Sequence, residues 1–109
     1  MTAEKLATIL LDAGIPLRSI NIQDAFFVCP TPDDITKRIS ASLKELIDSS
    51  KLKWTEDQFD CNRFSKLATC VADINWFNTK VTSDALAFGT IGIATQMHSI
   101  NVEIGRAHV

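Results

Sequence analysis

Residues 59–77 read FDCNRFSKLATCVADINWF, and the spacing of apolar side chains in this stretch decides the fold. Apolar residues recur at steps of three and four, which predicts a helix from about Cys61 to Ile74. Asp60 directly precedes it and is a typical helix-capping residue. The predicted buried face consists of Phe64, Leu67, Ala68, Val71 and Ile74. The helix therefore begins at a cysteine.

Two further helices are predicted upstream, over about residues 3–13 and 32–50. Thr2 can cap the first helix. Thr31 and Asp34 have the spacing of a capping box at the start of the second. The second helix carries one apolar stripe, made of Ile35, Ile39, Leu43, Leu46 and Ile47.

Three segments have strand patterns. Residues 25–29 are short and rich in β-forming side chains, while residues 85–94 and 97–104 predict two strands joined by a turn around Thr95 and Gln96. Helices followed by strands predict one α+β domain, with helices packed on one face of an antiparallel sheet. Two or three strands leave exposed sheet edges, which native domains normally pair or cover. The sheet is therefore expected to be incomplete.

Cys61 is the candidate nucleophile. Peptide N–H groups in the first turn of a helix and the positive end of the helix dipole favour the thiolate, which is the attacking species. The alternative interpretation is a small apolar residue, because Cys61 shares a side of the helix with Phe64 and Ala68. Cys29 and Cys70 are interpreted as packing residues.

His98 is the candidate general base. Side chains alternate along a strand, so His98, Ile100, Val102 and Ile104 are expected on the inward face and Asn101 on the other. If the Cys61 helix packs on the inward face, the imidazole and the thiol meet across the interface. The alternative is an α+β domain in which the two residues never meet.

These motifs resemble the small papain-like domain at the C-terminus of certain fungal agglutinins, and similar stand-alone phage and bacterial proteins. Members carry a hydrophobic residue followed by D-C-D-x-F-A at a helix start, and H-A-x-N in a later strand. The matching residues here are Phe59, Asp60, Cys61 and Phe64 in the first motif, and His98 and Asn101 in the second, and the resemblance covers residues 25–102.

The resemblance implies a papain-like or transglutaminase-like fold, with Cys61 and His98 as the catalytic pair. Asp60, Asn62 and Asn101 are the candidates for supporting roles. Asn62 stands where the family has an acid that takes part in calcium binding, so the sequence gives no cofactor of its own and calcium only by resemblance.

Bulk composition excludes several function classes. The chain has 109 residues with 46% hydrophobic and 22% charged residues and a formal net charge of −2, so nucleic acid and anionic membrane are not expected partners. The N-terminus has no signal-peptide pattern, which predicts a cytoplasmic or virion-associated protein. Three cysteines without a CxxC pair support neither a disulfide framework nor a zinc site.

Residues 104–109, IGRAHV, interrupt the last strand pattern. Their codons can be written to resemble a sequencing-library adapter, so we expect read-through here and a truncated domain over residues 1–103. A natural charged tail is the alternative. The third group that orients a catalytic histidine is then expected downstream of the chain.

The sequence thus predicts a cysteine hydrolase or acyl-transfer domain for a peptide or protein substrate, inactive as this fragment, in a phage or bacterial protein. The competing hypothesis, from a different class, is a non-catalytic structural or binding module of a phage particle with the same fold. The sequence does not indicate an oligomeric state.

Overall fold

Helices and two small sheets make up the protein in a computed structural model that describes residues 1–79, 84–93 and 98–104. The helices are α1 (Ala3–Asp12), α2 (Ser40–Ser50, continuing a π-helical segment at Asp34–Ile39) and α3 (Cys61–Thr79); the strands are β1 (Phe27–Val28), β2 (Ala85–Leu86), β3 (Phe88–Ile93) and β4 (His98–Glu103). This mixed content confirms the α+β class. The expected turn at Thr95 and Gln96 lies outside the described residues.

The ends of α1 follow the sequence signals. Thr2 Oγ1 accepts a hydrogen bond of 3.2 Å from the Lys5 N–H, which satisfies one of the free amides of the first turn. Gly14 follows the last turn with a φ of +93°, a left-handed conformation that glycine adopts at low cost. The predicted cap and stop are both confirmed.

The second helix begins with the predicted capping box. The Thr31 N–H donates to Asp34 Oδ2 at 2.9 Å, and the Asp34 N–H donates back to Thr31 Oγ1 at 3.1 Å. The first turns are π-helical, a feature absent from the prediction. Residues spaced by four rotate gradually around an α-helix, which has 3.6 residues per turn. A π-helical stretch has more residues per turn and offsets this rotation, so the apolar stripe stays on one face. Leu46, off that step, is 38% exposed.

The strands form two pairs instead of one antiparallel sheet. β1 and β2 are parallel, with Phe27 opposite Ala85, whereas β3 and β4 are antiparallel. The pairs meet at Ala87, whose N–H donates to Val28 O at 2.9 Å while its carbonyl accepts from the Ile104 N–H at 3.1 Å. The parallel pairing corrects the expectation of an antiparallel sheet.

Two apolar clusters cover opposite sides of these strands. One joins Leu6 of α1 to Phe27, Ala87 and Ile104, and the other joins Ile39 and α3 to Leu86. Side chains of neighbouring strand residues point to opposite faces, so Ala87 and Leu86 divide the two clusters between them. The expectation that all helices pack on one face is therefore wrong, because α1 covers the face opposite α3.

Ile104 belongs to the first cluster and is 9% exposed. It is also the first residue of the segment that the sequence predicts as read-through, and the rest of that segment lies outside the described residues. The boundary of the domain at residue 103 stays a prediction.

Candidate active site

The start of α3 places Cys61 at the first helical position. The Asp60 carbonyl accepts a hydrogen bond of 3.0 Å from the Phe64 N–H, which is the first backbone bond of the helix. The N–H groups of residues 61–63 come before the Phe64 N–H, which is the first that can donate within the helix. They therefore lie at the positive end of a 19-residue helix. Cys61 is half-buried there.

A hydrogen-bonded turn leads into Cys61. Thr55 and Phe59 exchange backbone hydrogen bonds of 2.9 and 2.8 Å, and Asp57 between them has a φ of +63°. The Phe59 ring then meets the Phe64 ring edge to face, with centroids 4.8 Å apart and planes at 85°. This contact joins the residue before the cap to the fourth helical residue, which fixes the angle at which the chain enters α3.

Asp60 caps α3 through its backbone, while its carboxylate turns back to the preceding loop. Oδ2 accepts from the Asp57 N–H at 3.2 Å. Oδ1 is buried, and no described group hydrogen-bonds to it. Asn62, the other candidate beside the cysteine, is exposed. The two supporting candidates therefore differ, because only Asp60 brings a buried polar atom to the site.

The buried face of α3 differs from the predicted one. Ile74 is 62% exposed, whereas Ser65 and Ala72 are 5% and 0% exposed. Polar and small residues occupy the interior here because β3 and β4 approach the helix closely. Cys70, interpreted from sequence as a packing residue, is exposed, while Cys29 packs partly against the Leu6 cluster as expected.

Asn101 fastens the β3–β4 hairpin to α3. Its Nδ2 lies 2.9 Å from Ser65 O, 3.2 Å from Gly89 O, 3.2 Å from Thr69 Oγ1 and 3.4 Å from Thr90 Oγ1. The Thr69 and Thr90 hydroxyls are 3.0 Å apart. Sequence reasoning assigned Asn101 to the face away from the helix, and the structure corrects this: α3 packs on the Asn101 face, and Ile100 is 38% exposed.

This polar cluster fixes how the hairpin runs along α3. Leu86 packs on Ala72 in the second half of the helix, and Thr90 meets Thr69 one turn closer to its start. β3 therefore advances toward the N-terminus of α3, and the pair Ile93–His98 closes the described ladder at that end. From Asn101 to His98 is three residues of strand, or about 10 Å.

Along α3, Cys61 lies one turn before Ser65, or about 6 Å. Because Ser65 is bonded to Asn101, the backbone of His98 and the start of α3 lie at the same end of the interface. The side chain of His98 lies outside the described part of the structure. The sequence predicts its contact with Cys61 only if α3 packs on the face that position 98 shares with Ile100. The described part of β4 instead turns its Asn101 face to α3, so this condition is not met.

Sequence reasoning missed Ser65, Thr69 and Thr90 as the partners of Asn101. The available signal was their type and spacing. Ser65 and Thr69 are four residues apart on one side of α3, and small hydroxyl residues there allow a strand to approach closely. Periodicity that scores only apolar residues cannot detect such a face.

The loop before Cys61 carries the acidic residues nearest to the calcium site that the resemblance allowed. Among the described residues, no group of three or more His, Cys, Asp or Glu side chains is arranged to hold a metal ion. Asp60 Oδ1 is a single buried acceptor, and Glu56 and Asp57 are exposed. We derive no catalytic step through a metal.

Asp73 on α3 has a perturbed carboxyl remote from Cys61. Partial burial raises its pKa above the ordinary 3.8, and the negative charge of Asp24 raises it further. The folded state therefore holds this proton more tightly than the unfolded chain. The resulting stabilisation is complete below pH 3.8 and is lost as the pH rises through the folded-state pKa.

We expect Asp73→Asn to raise the free energy of unfolding at pH 7, because the amide avoids the charge that burial and Asp24 disfavour. The difference from the unmodified protein should vanish below pH 3.8, the ordinary pKa. Urea unfolding at a series of pH values measures it. Asp24→Asn should give a smaller gain of the same sign, and a gain in Asp73→Asn that is independent of pH would contradict this origin.

The sequence matches none of the family models and none of the curated proteins with which it was compared. A solved structure described as "PSL1a-E64 complex" aligns with the chain at a TM-score of 0.72 and 22% sequence identity. This chain shares the fold of PSL1a. The alignment covers 98% of this chain and 40% of the PSL1a chain, so the chain spans less than half the length of PSL1a. Within the described residues, every helix is too short or too polar to span a membrane.

Proposed function

We propose that the chain is a papain-like cysteine hydrolase or acyl-transfer domain, with Cys61 as nucleophile, His98 as general base and a peptide or amide as substrate. The observation that carries the proposal is the register set by Asn101. It brings the first residue of β4 to the end of the interface at which α3 begins with Cys61. A nucleophile and its base must meet in space. Because the Asn101 face of β4 contacts α3, a contact between His98 and Cys61 at the first residue of β4 is the step that this proposal adds.

The chemistry follows from these roles. His98 takes the proton of the Cys61 thiol, and the thiolate attacks the substrate carbonyl carbon to form a C–S bond. Amides at the start of α3 stabilise the oxyanion. The imidazolium then gives its proton to the amine as the C–N bond breaks. Water, or another nucleophile in a transferase, attacks the thioester and releases Cys61.

The likeness to PSL1a supports the same proposal through the fold. The PSL1a structure is a complex with E64. E64 reacts with thiols through its epoxide, so it is a suitable probe for Cys61.

The first test compares the alkylation rates of Cys61 and Cys70 by iodoacetamide, followed by peptide mass spectrometry. At pH 5 an ordinary thiol with a pKa of about 8.5 is only about 0.03% thiolate. At this pH a thiolate paired with imidazolium is roughly 3,000-fold more populated than the thiolate of an ordinary cysteine. Because its pKa is lower, each such thiolate is about 60-fold less nucleophilic. We therefore expect Cys61 to react about 50-fold faster than Cys70, although Cys70 is the more exposed thiol.

At pH 9 the order should reverse, because both thiols are then ionised and the more basic thiolate is the better nucleophile. The Cys70→Ser variant lacks the exposed thiol, and incubation of this variant with E64 should add one adduct. The adduct should be absent when Cys61→Ser is combined with Cys70→Ser. Equal rates at pH 5 would remove the support for a catalytic cysteine.

A specific observation favours the non-catalytic binding module as the second candidate. Ile74 and Phe77 are 62% and 74% exposed on the outer face of α3, an arrangement typical of a surface that binds another protein. Slow and uniform labelling of the cysteines, together with loss of partner binding in Phe77→Ser, would support this function instead.

A further inference from the structure

A cavity of about 430 Å³ lies on the α1 side of the strands, away from α3. Its described lining comes from α1, from residues 15–27 and from the strands, and includes no residue of α3. The floor consists of four buried side chains of the first apolar cluster, Leu6, Phe27, Ala87 and Ile104. The volume falls in the range of small-molecule sites. This cavity is therefore separate from the candidate site at Cys61.

Gly89 leaves an open stretch on the strand face that borders the cavity. In the antiparallel pair of β3 and β4, Gly89 is directly opposite Val102, so side chains at the two positions share one face. Val102 lines the cavity, whereas its neighbour Asn101 contacts α3 on the other face. A Cβ added at Gly89 would meet no described atom within 4 Å. The cavity thus reaches the backbone of β3 at Gly89.

The backbone conformation does not require a glycine at position 89. Gly89 is not among the described residues with a positive φ, so other residues can adopt its conformation. Glycine inside a strand weakens the strand, and it often marks a place where a ligand or another backbone approaches closely. Because α3 packs on the other face, the missing side chain makes room on the cavity face alone.

The rim of the cavity is polar and negatively charged. Ile22 is half-buried in the wall, whereas the neighbouring Gln23 and Asp24 are exposed. Asp24 is the only charged residue among the described lining residues. The ion pairs of the described structure all lie within residues 33–48, so none of them neutralises this carboxylate. Burial raises the pKa of the nearby Asp73 carboxyl, and the negative charge of Asp24 raises it further.

We propose that this cavity binds a small amphipathic molecule, with its apolar part against Gly89 and Val102 and a cationic amine at Asp24. One water molecule takes about 30 Å³ of the liquid, so the cavity has room for on the order of fourteen non-hydrogen atoms. A partner helix fits less well, because a helix about 10–12 Å across fills such a volume within roughly one turn. This site goes beyond the proposed function and does not depend on it.

Three probes of nearly equal size test the charge preference. Phenylbutylamine, phenylbutanol and phenylbutyrate share an apolar body and carry a positive, a neutral and a negative end at pH 7. In NMR titrations we expect the amine to bind about twofold to fivefold more tightly than the alcohol, because an exposed ion pair contributes little. The carboxylate should bind most weakly. Asp24→Asn should lower the affinity of the amine to that of the alcohol and leave the alcohol unaffected.

Gly89→Phe tests the apolar part of the site. Its ring occupies the cavity, so the affinity for all three probes should fall by about tenfold or more. Phenylalanine is also a better strand residue than glycine and fills space, so the midpoint of thermal unfolding should not fall. Gly89→Ala is the matched control, and it should change the affinities by less than about fourfold, the value of one buried methylene.

Three results would overturn this proposal. The first is equal affinity of the amine and the alcohol for the unmodified protein, or an amine preference that survives in Asp24→Asn. The second is unchanged probe binding in a folded Gly89→Phe variant, which would place the probes elsewhere. The third is the absence of binding together with a loss of stability in Gly89→Phe, which would show that a segment of protein occupies the cavity. If Gly89→Phe does not fold, the comparison of amine and alcohol in Asp24→Asn decides.

Discussion

Replacing His98 with alanine is expected to slow alkylation of Cys61 by iodoacetamide at pH 5 by about 50-fold, to the rate of Cys70. The physical reason is the loss of the imidazolium, which pairs with the thiolate and accounts for most of its population below pH 7. The helix dipole that remains in the variant contributes only about 0.3–1 kcal/mol at a partly exposed position. That is at most a factor of about five in the thiolate population.

The shape of the pH profile separates an ion pair from an isolated thiol. In the unmodified protein, the rate should rise at low pH, where the pair forms, and change little through neutral pH. In His98→Ala a single rise near the ordinary thiol pKa of about 8.5 should remain. His108→Ala, at the second histidine of the chain, is the matched control and should leave the profile unchanged. A similar loss in both variants would refute a specific role for His98.

Local signals predicted the parts of the fold that depend on neighbouring residues in the sequence. The capping box of Thr31 and Asp34, the stop at Gly14 and the start of α3 at Cys61 all rest on interactions within one turn. Such contacts need no knowledge of the tertiary structure. The position of Cys61 at a helix N-terminus, the basis of the candidate site, was therefore accessible from the sequence.

Long-range pairing was the part that periodicity could not supply. The rule that apolar residues lie inside placed Asn101 away from α3 and Ile74 against the sheet, and both assignments were wrong. An amide NH2 with partners costs little to bury, and the acceptors within reach of its two hydrogens lie on an adjacent strand and on a helix more than 30 residues away. The parallel pairing of β1 with β2, at residues nearly 60 positions apart, has no local signal either.

The second large effect is expected from Asn101→Ala, which removes the amide that bonds the hairpin to α3. The Asn101 NH2 donates to Ser65 O of α3 and to Gly89 O of β3, so it links the two elements directly. Ser65 O also accepts from the Thr69 hydroxyl at 3.1 Å, so the loss of Asn101 removes one of its donors. We expect the free energy of unfolding to fall by about 1–3 kcal/mol. Asn101→Asp should cost more at neutral pH, because a carboxylate would then face carbonyl oxygens.

The functional consequence of Asn101→Ala should exceed its effect on stability. A shift of about 1 Å between reacting groups can cost about 10²-fold in rate, and Asn101 determines the register of the strand that begins at His98. Under conditions where the variant remains folded, we expect alkylation of Cys61 at pH 5 to fall by at least tenfold.

Leu86→Ala is the matched control for stability. Leu86 is 4% exposed in the core beside Ala72, and such truncations cost about 2–5 kcal/mol. Since Leu86 packs on the second half of α3, this variant should unfold at least as easily as Asn101→Ala and still label Cys61 at the normal rate while folded. If both variants lose reactivity in proportion to their stability, Asn101 contributes only packing energy. If only Asn101→Ala loses reactivity, the register of β4 on α3 is what brings the base to the thiol.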